Sequence, residues 1–384
     1  MRVLIDYRPA LRERTGVGEY THELVKALVG TIDPGALDLT IFSSSWRDRL
    51  RLDEHDLRGV HAVDRRVPVR LLNFAWHRLG WPPAEALAGA SFDVVHSLTP
   101  LLLPSRTAAQ VVMIHDLSFL TDAGWARAEI RRDYPALVHD HARRADRIMV
   151  PSQHVAGDVA RRLGVPAERI AVVGPGAPPW VPRTTPPAQG YILFVGTLEP
   201  RKNVGALLDA YERLLSRPPK PRATAEAGRA LPELVLAGKA TRSSRSWLER
   251  LDRPPLRGVV RHLGYVDGAH RRALYEGARL LVLPSLDEGF GLPVLEAMTI
   301  GVPVIAANRG ALPEVVGAAG PLINPDDPGE LAAAIEHLLT DDAFAAACAA
   351  KGLARAREFR WDTTARRVYD VYREAIKHRR CASA

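Results

Sequence analysis

Four consecutive apolar residues, Leu280-Leu281-Val282-Leu283, stop at Pro284 and are followed by S-L-D-E-G-F-G-L-P-V-L-E. A strand with one wet face alternates apolar and polar residues, so an unbroken run reads as a parallel strand buried on both faces. Pro293 fits the first turn of a following helix, where its missing N–H costs nothing. The loop between holds Gly289 and Gly291 around Phe290. This places Glu288 on the strand-to-helix loop and Glu296 about one turn into the helix. Between them lie the unpaired backbone N–H groups of the helix start, near Gly291 and Leu292, whose partial positive charge suits a phosphate. Carboxylates on either side would repel that phosphate and so suit hydroxyl donors instead. A ligand with hydroxyls at both ends and phosphate in the middle is a nucleotide sugar. The plainer alternative is a solvated loop glutamate and a helix-start glutamate favoured by the dipole.

A second unit of the same kind begins at Tyr191-Ile192-Leu193-Phe194-Val195. It continues through Gly196-Thr197-Leu198-Glu199-Pro200 to Arg201-Lys202-Asn203. Arg binds phosphate bidentately and Lys adds a point charge, so adjacent cations before a helix read as a diphosphate site. Cations at a helix start oppose the dipole, which an anion would offset. The alternative is a pair of solvated surface cations.

The first half has the same rhythm. Val3–Asp6 reads as a strand, and Arg14-Thr15-Gly16-Val17-Gly18-Glu19-Tyr20 as a glycine loop before a helix. That is the ligand-approach unit of a doubly wound sheet, although Gly16 and Gly18 also serve any tight turn. Further strands are expected at Asp93–His96, Gln110–Ile114, Arg147–Val150 and Ile170–Val173. A polar helix is expected from Arg127 to Arg144. His115 ends the Gln110–Ile114 strand, where open α/β sheets place ligands. From Trp46 to Trp81 the chain reads as irregular, mixing arginines with Leu71, Leu72, Phe74, Trp76 and Trp81. That mixture suits a membrane surface, and packing of an amphipathic helix explains it as well. The Pro-, Thr- and Ala-rich stretch before Gly190 reads as a linker, with the domain boundary near Arg183. Arg217 to Ala230 reads as disordered. Strands are expected at Leu234–Ala237, Val259–Leu263 and Val302–Ala306, and a last helix from Asp362 to Lys377.

E-G-F-G-L-P-V-L-E-A-M, followed by G-V-P-V-I-A-A and A-L-P-E-V-V-G, resembles the retaining glycosyltransferases of family 4. Two glutamates separated by seven residues are that family's signature. The resemblance implies a GT-B fold, α/β with two Rossmann-like doubly wound domains facing a central cleft. The expected division is an acceptor-side domain over 1–183, a nucleotide-sugar-binding domain over 184–360, and a helix over 361–384 returning to the first domain. It also implies site residues. Glu288 would hold the sugar hydroxyls and Glu296 the ribose, and His115 in H-D-L-S-F-L would approach the donor sugar. Tyr265 and Val266 would border the nucleobase through backbone. Gly16 and Gly18 would face the donor phosphates and the acceptor, with Gly289, Phe290, Gly291 and Leu292 forming the phosphate loop. Lys202 matches the family lysine after Gly196. Thr197 stands where the family has a basic residue, which makes Arg201 the candidate replacement. Glu288, His115, Arg201 and Lys202 are thus the expected catalytic set, and Asp116 is expected to shape the loop or the acceptor side.

The implied reaction moves a hexose, with mannose the expected sugar, from a GDP- or UDP-linked donor to a glycan or lipid-linked acceptor, with retention. H-D-L-S-F-L and G-T-L-E-P-R-K-N look like the subgroup that builds bacterial surface polysaccharides. No D-x-D motif stands in a suitable place, so neither metal nor cofactor is expected. Two rival readings are a GT-B sugar-nucleotide epimerase and a non-catalytic nucleotide-sugar-binding scaffold.

The 384 residues allow two domains with cores of their own. The net charge of +8 favours anionic partners. It is dispersed, and no nucleic-acid-binding module appears, so nucleic acid is not an expected partner. Two late cysteines, Cys348 and Cys381, make no disulfide framework. Met1-Arg2 leads straight into a strand without a leader-like apolar stretch, and no run approaches membrane-span length. The expected location is the cytoplasm, with peripheral contact at the inner face of the membrane.

Overall fold

A computed structural model describes residues 1–11, 14, 16–52, 57–121, 128–187, 189–217 and 231–383. The chain folds as two compact units, Met1–Gly176 with Arg360–Ala384, and Ala177–Phe359. The change of unit comes at Gly176, ahead of the expected boundary at Arg183. Arg183 is tied into the second unit, its N–H donating to Ile300 O (3.1 Å) and its guanidinium to Ala278 O (2.5 Å).

In the first unit the strands are β1 (Arg2–Asp6), β2 (Asp38–Ser44), β3 (His61–Arg65), β4 (Val94–Ser97), β5 (Ala109–Met113), β6 (Arg147–Val150) and β7 (Ile170–Val172). They form one parallel sheet in the order β3-β2-β1-β4-β5-β6-β7. β2 and β3 did not stand out in the sequence. β2 carries buried Thr40, Ser43 and Ser44 among its apolar residues, and β3 is a largely exposed edge strand without an apolar run. The Trp46–Trp81 stretch is correspondingly more ordered than expected, holding β3, the helix Val69–Phe74 and a π-helical turn Ala75–Leu79. The expected polar helix spans Ala128–Arg144, and Arg127 lies outside the described residues.

The helix Trp361–Ser383 completes this unit. Ala365, Val368, Tyr372 and Ala375 recur at helical spacing and are fully buried with Val371 against Leu24 and Leu28 of the helix Gly16–Thr31. Tyr369 is only partly buried. The Tyr372 hydroxyl lies 2.8 Å from His96 Nδ1 on β4, and Thr364 Oγ1 donates to Gly174 O (2.8 Å).

The second unit is built on β8 (Tyr191–Val195), β9 (Leu234–Ala237), β10 (Val260–Gly264), β11 (Ala278–Leu283), β12 (Val304–Ala307) and β13 (Leu322–Ile323). These are again all parallel, in the order β10-β9-β8-β11-β12-β13. Leu280 through Leu283 are buried on both faces as the run required, with Leu281 between Leu193 of β8 and Val304 of β12. The expected disordered stretch lies, beyond Arg217, outside the described residues. Both units are therefore doubly wound. Strand order reverses between β1 and β4 in one and between β8 and β11 in the other, and such sheets bind ligands at the carboxyl ends of those two strands.

Candidate active site

β8 and β11 flank the switch point of the second unit, and the two sequence motifs are the loops that leave their carboxyl ends. They are clamped together by a backbone bond and by the Asn203 side chain. Leu286 N–H donates to Arg201 O (2.7 Å). Asn203 Nδ2 donates to Pro284 O (3.2 Å) and Pro325 O (2.7 Å). Asn203 holds these bonds at φ +55°, a left-handed conformation that asparagine tolerates better than most residues.

The clamp brings Lys202 to Glu288. Lys202 Nζ lies 2.5 Å from Glu288 Oε1, which also accepts from Ser285 Oγ at 2.7 Å. Arg201 Nη1 is 3.4 Å from Glu288 Oε2, and its Nε is 2.6 Å from Glu199 Oε1. All but one-tenth of the Lys202 and Glu288 residues is buried. Burial alone would raise the Glu288 carboxyl, but the Lys202 and Arg201 cations outweigh it and hold the group below the ordinary carboxylate range. Burial pulls the Lys202 ammonium down, opposed by Glu288. The expected cationic pair is thus matched by two carboxylates. Of the two Glu288 oxygens, Oε2 has the weaker set of protein donors and the capacity for a ligand hydroxyl.

Gly291 caps the helix Leu292–Ile300 at φ +111°, with Pro293 in its first turn and Glu296 buried on it. A Cβ on Gly291 would meet Leu312 at 2.7 Å. Phe290 packs edge-to-face on Phe359, and Gly289 is buried. Tyr275 Oη donates to Glu296 Oε2 (2.7 Å), and Arg271 Nε lies 3.3 Å from Oε1. Arg271 also stands over the Trp180 ring at 5.9 Å. Neither Arg271 nor Tyr275 carried a sequence signal, since both sit on the ordinary-looking helix Gly268–Glu276. Gly238 likewise carries no sequence signal as a site residue. At φ +150°, a Cβ there would fall 1.9 Å from Gly196 O, so the loops after β8 and β9 touch through two glycines. Tyr265, half-buried beside Val266, faces Lys239, whose Nζ is 5.3 Å from the ring centroid.

The remaining expected residues belong to the first unit. Gly16 and Gly18 lie in the first turn of the helix Gly16–Thr31 rather than in a loop. A Cβ on Gly18 would be 2.7 Å from Pro9 O, whereas nothing stands within 4 Å of one on Gly16. His115 follows β5, edge-on to Tyr20 with ring centroids 5.1 Å apart. It hydrogen-bonds the Leu98 backbone, while its buried Nε2 has no protein partner. Burial lowers the His115 pKa to about 4, against the pull of Asp116, so the ring is neutral at pH 7. Asp116 accepts from Ser118 N and Oγ (3.1 and 2.7 Å), bonds that hold the local loop.

The Glycosyltransferase Family 4 model matches residues 14–179, and that of Glycosyl transferases group 1 matches residues 189–341. Over 393 residues the chain is 31% identical to the O-antigen chain mannosyltransferase B of Escherichia coli, covering 97% of this chain and 100% of that one. The chain belongs to glycosyltransferase family 4. The enzyme has the GT-B fold. It superposes on sucrose-phosphate synthase of Thermosynechococcus elongatus with a TM-score of 0.75 at 20% identity, over 97% and 98% of the two chains. It superposes on Anabaena HepE, solved with UDP-glucose, at a TM-score of 0.68 and 18% identity, over 96% and 98%.

Proposed function

We propose that this glycosyltransferase moves a hexose, mannose first among candidates, from a GDP- or UDP-linked donor to a glycan or lipid-linked acceptor of surface-polysaccharide synthesis, with retention of configuration. The observation that carries this reading is the meeting of Lys202, Arg201 and Glu288 at the carboxyl ends of β8 and β11, next to the helix start at Gly291. The mannosyltransferase name of the Escherichia coli relative supports the sugar, and the HepE complex with UDP-glucose supports the donor class.

In this reading the diphosphate takes the N–H groups near Gly291 and Leu292 and draws Arg201 and Lys202 into new pairings. As the glycosidic bond breaks, charge collects on the leaving phosphate, where fixed cations and amides stabilise it without reorganisation. The acceptor attacks from the same face, and the departing phosphate takes its proton. Glu288 holds sugar hydroxyls through Oε2 and keeps Lys202 in place through Oε1. Glu296, oriented by Tyr275 and Arg271, holds the ribose, and Tyr265 and Val266 border the base. Neutral His115 offers Nε2 to a sugar hydroxyl, with Gly16 and Gly18 assigned to the approach of donor and acceptor. Arg201 supplies the charge absent at Thr197. Transfer proceeds without added metal or cofactor, in the cytoplasm.

Thermal-shift titration against GDP, UDP, ADP and their sugar conjugates tests the donor. A ligand at about 100 times its dissociation constant stabilises by about 2.7 kcal/mol, a readable shift. A shift with one base, followed by an α-linked product from the matching α-donor in the presence of chelator, is the expected outcome. No shift with any nucleotide from a folded sample would overturn the reading, as would donor turnover without acceptor.

A further inference from the structure

Five of the eight large apolar side chains that stand exposed among the described residues fall between Val69 and Trp81. Leu71 is 60% exposed, Phe74 59%, Leu79 65% and Trp81 62%. The inner side of the same segment is already satisfied. Leu72 and Trp76, one helical turn apart, are buried with Leu4 and Phe42, and Trp76 Nε1 donates to Pro82 O (2.9 Å). The helix Val69–Phe74 and the turn after it are therefore apolar on both sides, the pattern of an element covered on both. Leu71 and Phe74 are three residues apart and share the outward face. At the start of the segment, Ser45 N–H donates to Arg65 O (3.2 Å) and Ser44 Oγ to Val67 O (2.8 Å). These bonds bring in Trp46, itself 70% exposed.

The charge carried by this segment of the chain has one sign. From Arg65 to Ala84 the sequence holds four arginines, at 65, 66, 70 and 78, and no Asp or Glu. All four are exposed. A protein partner built to cover such a face would have to supply acids placed to match fixed arginines. A sheet of anionic headgroups over an apolar interior asks only for rings and aliphatic tips inside a ring of cations. Tryptophan at the rim of the patch fits the same layer, where its ring prefers the headgroup boundary.

We propose that Val69–Trp81 is a docking surface for an anionic lipid bilayer, with Leu71, Phe74, Leu79 and Trp81 entering the interface and Arg66, Arg70 and Arg78 on the headgroups. The surface shares no residue with the donor site proposed above and needs no substrate to be tested.

The test is flotation of the full chain with vesicles of about 30 mol% phosphatidylglycerol in phosphatidylcholine, and with phosphatidylcholine alone. The wild type is expected to float with the anionic vesicles, at least about tenfold more weakly with the neutral ones, and less at high salt. Leu71→Ser/Phe74→Ser/Trp81→Ser and, separately, Arg66→Gln/Arg70→Gln/Arg78→Gln should each weaken binding at least about tenfold. Urea midpoints should stay at the wild-type value, because every changed side chain is exposed. Absence of flotation, or variants that float like the wild type, would overturn the proposal. So would a concentration-dependent dimer abolished by the apolar variant without vesicle binding, which would assign the surface to a second copy of the chain.

Discussion

Lys202 and Glu288, eighty-six residues apart in sequence, meet at 2.5 Å because their loops leave the two strands that flank the reversal of strand order. The pair is buried, so each partner is the other's main compensation for lost water. Glu288→Gln should cut transfer by at least about tenfold, since a charged hydrogen bond is worth more than a neutral one. It should also destabilise the second unit, towards the about 3–5 kcal/mol typical of a buried charge that loses its partner. Lys202→Met in the same chain should recover part of that loss, with a coupling of about 0.5–3 kcal/mol by urea denaturation. Strictly additive costs would show that the two groups do not depend on each other.

The first unit should weaken with acid well before the carboxylates titrate. Burial lowers His96 to about 3, and His115 and His141 to about 4. In the unfolded chain histidines titrate near about 6.5, so between these values the unfolded state binds more protons and lowering the pH favours it. Stability should be level above about pH 7 and fall from about 6.5 towards 4, by up to about 1.4 kcal/mol per pH unit for each histidine. Glu288 acts in a lower window: its folded pKa is depressed, so its contribution is lost only as pH drops below about 4. Urea midpoints between about pH 7.5 and 5 that do not move would mean these rings are protonated in the native state.

Gly238→Ala should cost well over about 2 kcal/mol, because its Cβ would fall 1.9 Å from Gly196 O in a backbone conformation that already penalises side chains. Gly16→Ala is the control, with nothing within 4 Å of its Cβ. Equal melting temperatures for the two would contradict the packing of these loops.

Tyr275→Phe removes the hydroxyl that donates to Glu296 and should cost about 1 kcal/mol of stability. If Glu296 holds the ribose, the donor KM should rise severalfold with kcat nearly unchanged, the mark of lost uniform binding. A fall in kcat with KM constant would place Glu296 in the chemistry of transfer.

Much of this arrangement was legible from residues alone. Strands such as Leu280–Leu283 announce themselves because parallel strands buried on both faces are continuous apolar runs. Asp38–Ser44 did not, because Thr40, Ser43 and Ser44 are buried within it and break the pattern. Glu288, Lys202 and Glu296 were visible as types at telling spacings. Their pairing was not, because it depends on which strands are neighbours, a property of the whole sheet. Arg271 and Tyr275 were hidden for another reason: an arginine on a polar helix is usually a solvated one, and only the fold turns this one inward.

The helix Trp361–Ser383 carries a consequence for how the protein comes into being. A ribosome delivers it after Ala177–Phe359, a continuous segment able to close its own core on emergence. The amino-terminal sheet is made first yet must wait, its Leu24 and Leu28 side uncovered until Ala365, Val368, Val371, Tyr372 and Ala375 arrive. The later-synthesised unit is thus the first to finish. A nascent chain stalled before residue 361 would present an unfinished amino-terminal half to chaperones and proteases, beside a completed neighbour.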